Sequence, residues 1–264
     1  MESTQHLAAE VRRLVLKMVH RAKASHVASA LSIVDVLAVL YGQVMIKNPA
    51  FPRWEQRDRF ILSKGHACAA VYATLASVGY FSVDKLQSYG EDYSWLMNHI
   101  SHHVTGVEFS TGSLGHGLPF AAGKAFVAKK RAEDWRTYVV VSDGEMDEGS
   151  SWESLLFAAH HHLCNLTVIV DYNKLQSLGP VDETLRLEPL ADKLSAFGCF
   201  VINVDGHDHL ELESALRTID PLMPTVIVAH TIKGKGVSFM ENSVDWHYKN
   251  PDDDQLRRAL AEIG

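Results

Sequence analysis

Ser142-Asp143-Gly144-Glu145-Met146-Asp147-Glu148-Gly149 and, further on, Asp171-Tyr172-Asn173-Lys174 decide the fold of this chain. The run Tyr138-Val139-Val140-Val141 leads into the first stretch, and Leu166-Thr167-Val168-Ile169-Val170 leads into the second. Both runs are short, β-branched and bounded by turn residues, as strands buried on both faces of a parallel sheet are. A carboxylate and an amide therefore follow the C-terminal ends of two strands, where open α/β sheets bind ligands. Hard oxygen donors in that place suit Mg²⁺ held against a diphosphate. One Asp-Gly or Asn after a strand is an ordinary turn. The pair is more specific, because Asn173 runs into Lys174-Leu175-Gln176-Ser177-Leu178-Gly179 rather than into a helix.

Outward from these strands the pattern alternates. A helix is expected near 147–162, another near 188–197, a strand at 200–204, a helix near 208–218 and a strand at 225–229. Upstream, helical spacing covers Leu7 to Lys23, and a second helix is expected from Ser32, as its N-cap, to Val44. Asp58 to Leu62 reads as a first strand, followed by a small-residue helix through Ala76. Residues 80–110 read as a mixture of helix and loop, and a further small-residue helix is expected to end near Lys130. Alternating strands and helices imply an α/β fold: a doubly wound, mainly parallel sheet with helices on both faces. No internal repeat or linker interrupts it, so residues 1–264 are expected to form one domain.

The formal charge of −7 argues against nucleic acid as the main partner. The one basic cluster, Lys129-Lys130-Arg131, lies at an expected helix end, where it complements the dipole. Cys68, Cys164 and Cys199 have no CxxC spacing and are expected as reduced thiols in a cytoplasmic protein. No stretch approaches a membrane span. Of fifteen histidines, His160-His161-His162 are consecutive on an expected helix and splay about 100° apart, so they cannot share one metal.

Asp-Gly after one strand with Asn after the next resembles the diphosphate motif of thiamine diphosphate enzymes. Within that group nearly the whole chain resembles the N-terminal part of transketolase. The matching segments are Ala24 to Ser32, Leu62-Ser63-Lys64-Gly65-His66, Gly106 to Gly117, the diphosphate motif, and Thr231 to Val237 with Trp246-His247. The resemblance implies a thiamine diphosphate-binding fold and transfer of a two-carbon ketol unit from a ketose, or ketose phosphate, to an aldose. It implies thiamine diphosphate and Mg²⁺ (or Ca²⁺ or Mn²⁺) as cofactors, with Asp143, Asn173 and the Leu175 carbonyl on the metal. Gly112, Leu114, Gly144, Glu145, Glu148, His66 and His247 are implied at the cofactor, Glu148 near a subunit interface. His26, His66, His99 and His247 are implied as catalytic, since imidazole moves protons near neutral pH. Two departures stand out: Ser142 replaces a glycine, and Ile100 follows His99 where the family has proline, with His102 and His103 close by. Lys233-Gly234-Lys235-Gly236 lacks P-loop spacing and reads as a flexible turn toward His247.

In transketolase a second domain supplies the glutamate that activates the cofactor, and nothing after Gly264 is present to do so. The expectation is therefore an N-terminal subunit that works with a separate C-terminal transketolase subunit, as a heterotetramer. The alternatives are the α subunit of another thiamine diphosphate enzyme, such as a 2-oxoacid dehydrogenase, a non-catalytic regulatory subunit, or a Mg²⁺-dependent phosphohydrolase. The last would need more carboxylates converging on the metal than this motif offers.

Overall fold

A computed structural model describes residues 3–264. The helices are α1 Thr4–Ala22, α2 Val27–Leu31, α3 Val34–Val39, α4 Cys68–Ser77, α5 Gly117–Lys130, α6 Gly149–His160, α7 Val181–Thr184, α8 Leu190–Ala196, α9 His209–Arg217 and α10 Asp253–Ile263. The strands are β1 Arg59–Leu62, β2 Thr137–Ser142, β3 Leu166–Tyr172, β4 Phe200–Asp205 and β5 Thr225–His230. They form one sheet in the order β1-β2-β3-β5-β4, and every pair is parallel.

The two-residue period of a strand divides the core. Phe60, Leu62, Tyr138, Val140, Ile169 and Ile227 point into one apolar layer with α1 to α4, α9 and α10. Ile61, Val139, Val141, Val168, Val170, Val226 and Val228 point into the other, with α5, α6 and α8. Each of these aliphatic side chains contributes about 1.5–3 kcal/mol by leaving water. This is the doubly wound sheet expected from the sequence. The chain leaves β1 toward the first layer through α4 and leaves β2 and β3 toward the second. Their C-terminal ends thereby open a crevice.

Two local expectations fail. Ser32 does not cap a helix running to Val44: the chain breaks into α2 and α3, and a π-turn covers Leu40–Val44. The Ser32 hydroxyl is drawn instead to the Asp171 carboxylate at 2.7 Å. Between 80 and 110 the only helical piece among the described residues is a 3₁₀ turn at Val83–Ser88. The basic cluster does lie at the end of α5, and Lys129 Nζ donates to the His161 and His162 carbonyls at the end of α6, both at 2.8 Å. All three cysteines are free thiols. No helix of the described residues is long and apolar enough to cross a membrane.

Candidate active site

The segments beyond β1, β2, β3 and β5 meet at one cavity of about 240 Å³. Its wall holds Lys64 and His66, then Ser142 to Gly144, then Asn173 and Leu175 to Ser177, and finally Lys233. His26, Ser29, His99, Gly112, Leu114 and His247 complete it. Another hollow, of about 290 Å³, lies under Tyr93, Trp95 and His103, but its serines, Ser88 and Ser94, bond each other at 2.9 Å. Convergent polar groups belong to the first cavity, which makes it the candidate site.

Two crossing loops bring Gly112 and Leu114 there. A Cβ on Gly65 would sit 2.3 Å from the Thr111 carbonyl oxygen, and one on Gly117 would sit 2.6 Å from Ser63 Cα. The loops after β1 and before α5 therefore touch backbone to backbone, which only glycine permits. Thr111 Oγ1 also donates to the Leu62 carbonyl.

Four imidazoles gather at one end of the cavity. Ring centroids lie 5.2 Å apart for His26 and His66, 5.0 Å for His26 and His247, 5.6 Å for His26 and His99, and 5.6 Å for His66 and His247. His26 heads α2 with φ 71°, in the left-handed region that residues with a Cβ adopt only uncommonly. Its N–H donates to the His247 carbonyl at 2.8 Å. Burial, reinforced by His99 and Lys64, pushes His26 down to about 4. Burial, with Lys233 and His26, pushes His247 down to about 3. Burial also sets His66 well below the ordinary range. These rings are therefore neutral at physiological pH, each able to donate from one nitrogen and accept at the other. In ¹⁵N NMR, His26 and His247 are expected to stay neutral from pH 8 down to about 5; a midpoint near 6.5 for either ring would contradict this. Of the three neighbours, only His99 faces the cavity. His102 bonds Ser110 Oγ at 2.7 Å, and His103 packs on Trp95.

The other end carries oxygen donors and ammonium groups. Asp143 is buried, and its two oxygens accept from the Gly144 and Lys174 N–H groups, both at 2.7 Å. Burial, and then the neighbouring Asp171, push its carboxyl up to about 6. Asn173 Oδ1 accepts from the Leu175 N–H at 3.1 Å, and its Nδ2 donates to Asp171 at 3.1 Å. Asp171 forms the floor, accepting from Lys64, Ser32, Thr231 and Asn173. Burial alone would raise its carboxyl, but Lys64 and the hydroxyl donors hold it below the ordinary range. Lys233, also buried, donates to the Leu175 and Gln176 carbonyls at 2.7 and 3.2 Å. Burial and Lys64 bring its amine down to about 8.

No group of three or more His, Cys, Asp or Glu side chains that could hold a metal exists among the described residues. The donors at hand are one carboxylate, one amide oxygen and one main-chain carbonyl, so a divalent cation here needs further oxygens from an anionic ligand. A buried, ionisation-resistant carboxyl beside two buried lysines is the setting that a cation bridging to a diphosphate would relieve, and the residues fit that group.

Two expected site residues lie outside the cavity wall. Glu145 is buried and turned toward the loop before α5, its Oε1 accepting from the Gly115 N–H at 2.8 Å and from Ser63. Glu148 is exposed and its stem lies against Gly115. Ser142, where a glycine was expected, receives the Glu145 N–H on its hydroxyl at 3.2 Å. The structure adds Lys64, Lys233, Ser29, Gln176 and Ser177 to the wall. Lys233 does not belong to a mere linker turn: Gly234 and Gly236 make the turn, and Lys233 points inward from it.

The family model described as "Transketolase, thiamine diphosphate binding domain" matches residues 3–264. The chain is 38% identical to one of the subunits of the apulose-4-phosphate transketolase of Phocaeicola vulgatus, over 96% of its own length and 90% of that protein's. It is also 38% identical to the "6-deoxy-6-sulfo-D-fructose transketolase subunit SqwG" of Clostridium sp., covering 98% and 95%. The solved transketolase of Campylobacter jejuni superposes on the whole chain with a TM-score of 0.94 at 31% identity. There the chain spans only 43% of the solved protein's length.

Proposed function

Since the chain belongs to the transketolase family, whose thiamine diphosphate binding domain its residues match, we propose that it is the diphosphate-binding subunit of a two-chain transketolase. It moves a two-carbon ketol unit from a ketose, or ketose phosphate, to an aldose. The observation that carries this reading is one cavity with four imidazoles at one end and oxygen donors with two lysines at the other. Asp143, Asn173 and the Leu175 carbonyl would hold Mg²⁺, or Ca²⁺ or Mn²⁺, against the diphosphate, while Lys64 and Lys233 balance its charge. Gly112 and Leu114 would cover the thiazolium. When bound, thiamine diphosphate supplies the electron sink for breaking the C2–C3 bond of the ketose. His26 and His99 would hold sugar hydroxyls, and His66 and His247 would hold and pass protons at the oxygens nearest the cofactor. Four neutral imidazoles suit a polyhydroxylated substrate, because each bonds a hydroxyl as donor or acceptor.

The relatives of similar length are named as transketolase subunits, which supports a separate partner subunit; the proposed assembly with a C-terminal transketolase subunit is a heterotetramer. The same names leave the 2-oxoacid dehydrogenase alternative without support. Residues 1–264 act as one domain, supported by a single sheet with helices in both layers. A cytoplasmic location agrees with the three free thiols. The chain is expected to bind magnesium thiamine diphosphate in a calorimeter but to transfer no ketol unit until the partner is added. Full activity of the chain alone would refute the two-chain reading, and absence of cofactor binding with the partner present would refute the site.

A further inference from the structure

Behind the lysine end of the cavity lies a buried polar cluster outside the cavity wall. Asp35, on α3, accepts from Arg12 Nη2, from His207 Nδ1 at 2.6 Å and from His209 Nε2 at 3.0 Å. His207 Nε2 accepts the Ile232 N–H at 2.8 Å, and Arg12 Nε donates to the Lys235 carbonyl at 3.3 Å. These two main-chain contacts straddle Lys233. Because His207 must accept at Nε2, its proton sits on Nδ1, and Asp35 is the group that fixes that tautomer. Gly234 N donates to the Ala28 carbonyl at 3.0 Å, which pins the same loop from a third side. His209 shares the carboxylate but turns its other nitrogen to Thr4 Oγ1 at 2.7 Å, away from the loop.

We propose that His207 is a positioning residue which, together with Arg12 and both held by Asp35, brackets the Ile232–Lys235 backbone and so aims the Lys233 amine at the diphosphate end of the site. The inference rests on the reading of that cavity as a thiamine diphosphate site. The bracket is a matter of acceptor and donor placement, so amide side chains separate its parts. Asparagine at 207 keeps a polar atom near the Nδ1 position but reaches no further. Glutamine places its oxygen near Nε2 and can still receive the Ile232 N–H.

The test is calorimetric titration of the full chain, with the partner subunit present, by thiamine diphosphate and Mg²⁺. The wild type binds; if it does not, the reading of the cavity fails and the inference falls with it. His207→Asn is expected to weaken binding about tenfold, as loss of an outer-shell partner typically does, while His207→Gln stays within about threefold. His209→Asn, whose amide stays near the Nδ1 position facing Thr4 but cannot reach the Asp35 carboxylate, disturbs that carboxylate without touching the loop and is expected to leave affinity unchanged. In a Lys233→Met background His207→Asn should add nothing further. Wild-type affinity in His207→Asn, an equal loss in His209→Asn, or a loss that persists without Lys233 would each overturn the proposal. A measurement on the unaltered protein tests it without any variant: ¹⁵N NMR should find the His207 proton on Nδ1, and an Nε2–H tautomer would refute the bracket.

Discussion

Asparagine in place of Asp143 is expected to abolish magnesium-dependent thiamine diphosphate binding while making the cofactor-free chain more stable. The two effects share a cause. In the folded chain the carboxyl resists ionisation up to about pH 6, whereas in the unfolded chain it ionises near about 3.9. The folded state therefore holds its proton longer, and stability falls as pH rises from about 4 to about 6. Above that the penalty is complete, about 3 kcal/mol for about two pKa units. Asparagine removes the charge but leaves one of the two main-chain donors, Gly144 or Lys174, without an acceptor, which costs about 1 kcal/mol or somewhat more. The net gain of about 1–2 kcal/mol corresponds to a Tm rise of a few degrees at pH 8 for a chain of this size. Losing the only side-chain charge offered to the proposed metal should weaken cofactor binding by about three orders of magnitude, the 3–5 kcal/mol of a broken buried charge pair. Calorimetry with and without Mg²⁺, beside thermal melts at pH 8, reads both effects. A variant that kept wild-type, magnesium-dependent affinity would remove Asp143 from the site.

Lys64→Met is expected to produce the largest loss of stability. Both partners of the Lys64–Asp171 pair are 1% exposed in their side chains, so methionine leaves a buried carboxylate facing hydroxyls and an amide alone. Breaking such a pair costs about 3–5 kcal/mol, a Tm drop of roughly 10 °C here. The pH dependence identifies the cause. In the wild type Asp171 is held low, so its contribution is present above the unfolded pKa of about 3.9 and fades only as pH falls through the lower folded value. In the variant burial is opposed only by the Ser32, Thr231 and Asn173 donors and raises the carboxyl, so stability declines as pH climbs past about 4. The gap between the two proteins should therefore widen from pH 4 to pH 8. Melts showing the same gap at both ends would mean that lost packing around the lysine stem, not the orphaned charge, explains the effect.

The division between what could and could not be read in advance follows the range of each interaction. The strands were legible because Tyr138 to Val141 and Leu166 to Val170 are β-branched runs between turn residues, a local signal. Asp143 and Asn173 were legible because each lies within three residues of the end of such a run. Lys64 stood in plain view in Ser63-Lys64-Gly65-His66, yet its burial depends on Asp171, 107 residues away, and no local pattern announces that partner. Lys233 was harder still, since the Leu175 and Gln176 carbonyls that receive it are main-chain groups common to every residue type. Its two glycine neighbours advertised a turn, which is there, and hid the inward lysine. Ser32 misled in the opposite way. It is a good helix-capping residue by type, but its hydroxyl finds a stronger acceptor in the charged Asp171, and the helix breaks around it.

The hydrogen bond from the His26 N–H to the His247 carbonyl joins two segments that lie almost a whole chain apart. Contacts of such sequence separation are entropically slow to close. No nascent or proteolysed fragment that stops short of His247 can possess the four-imidazole end of the cavity. That end of the cavity is therefore a checkpoint on the complete tertiary structure: it exists only in finished molecules, and a ligand that binds there selects them, adding stability in proportion to the logarithm of its concentration above its Kd.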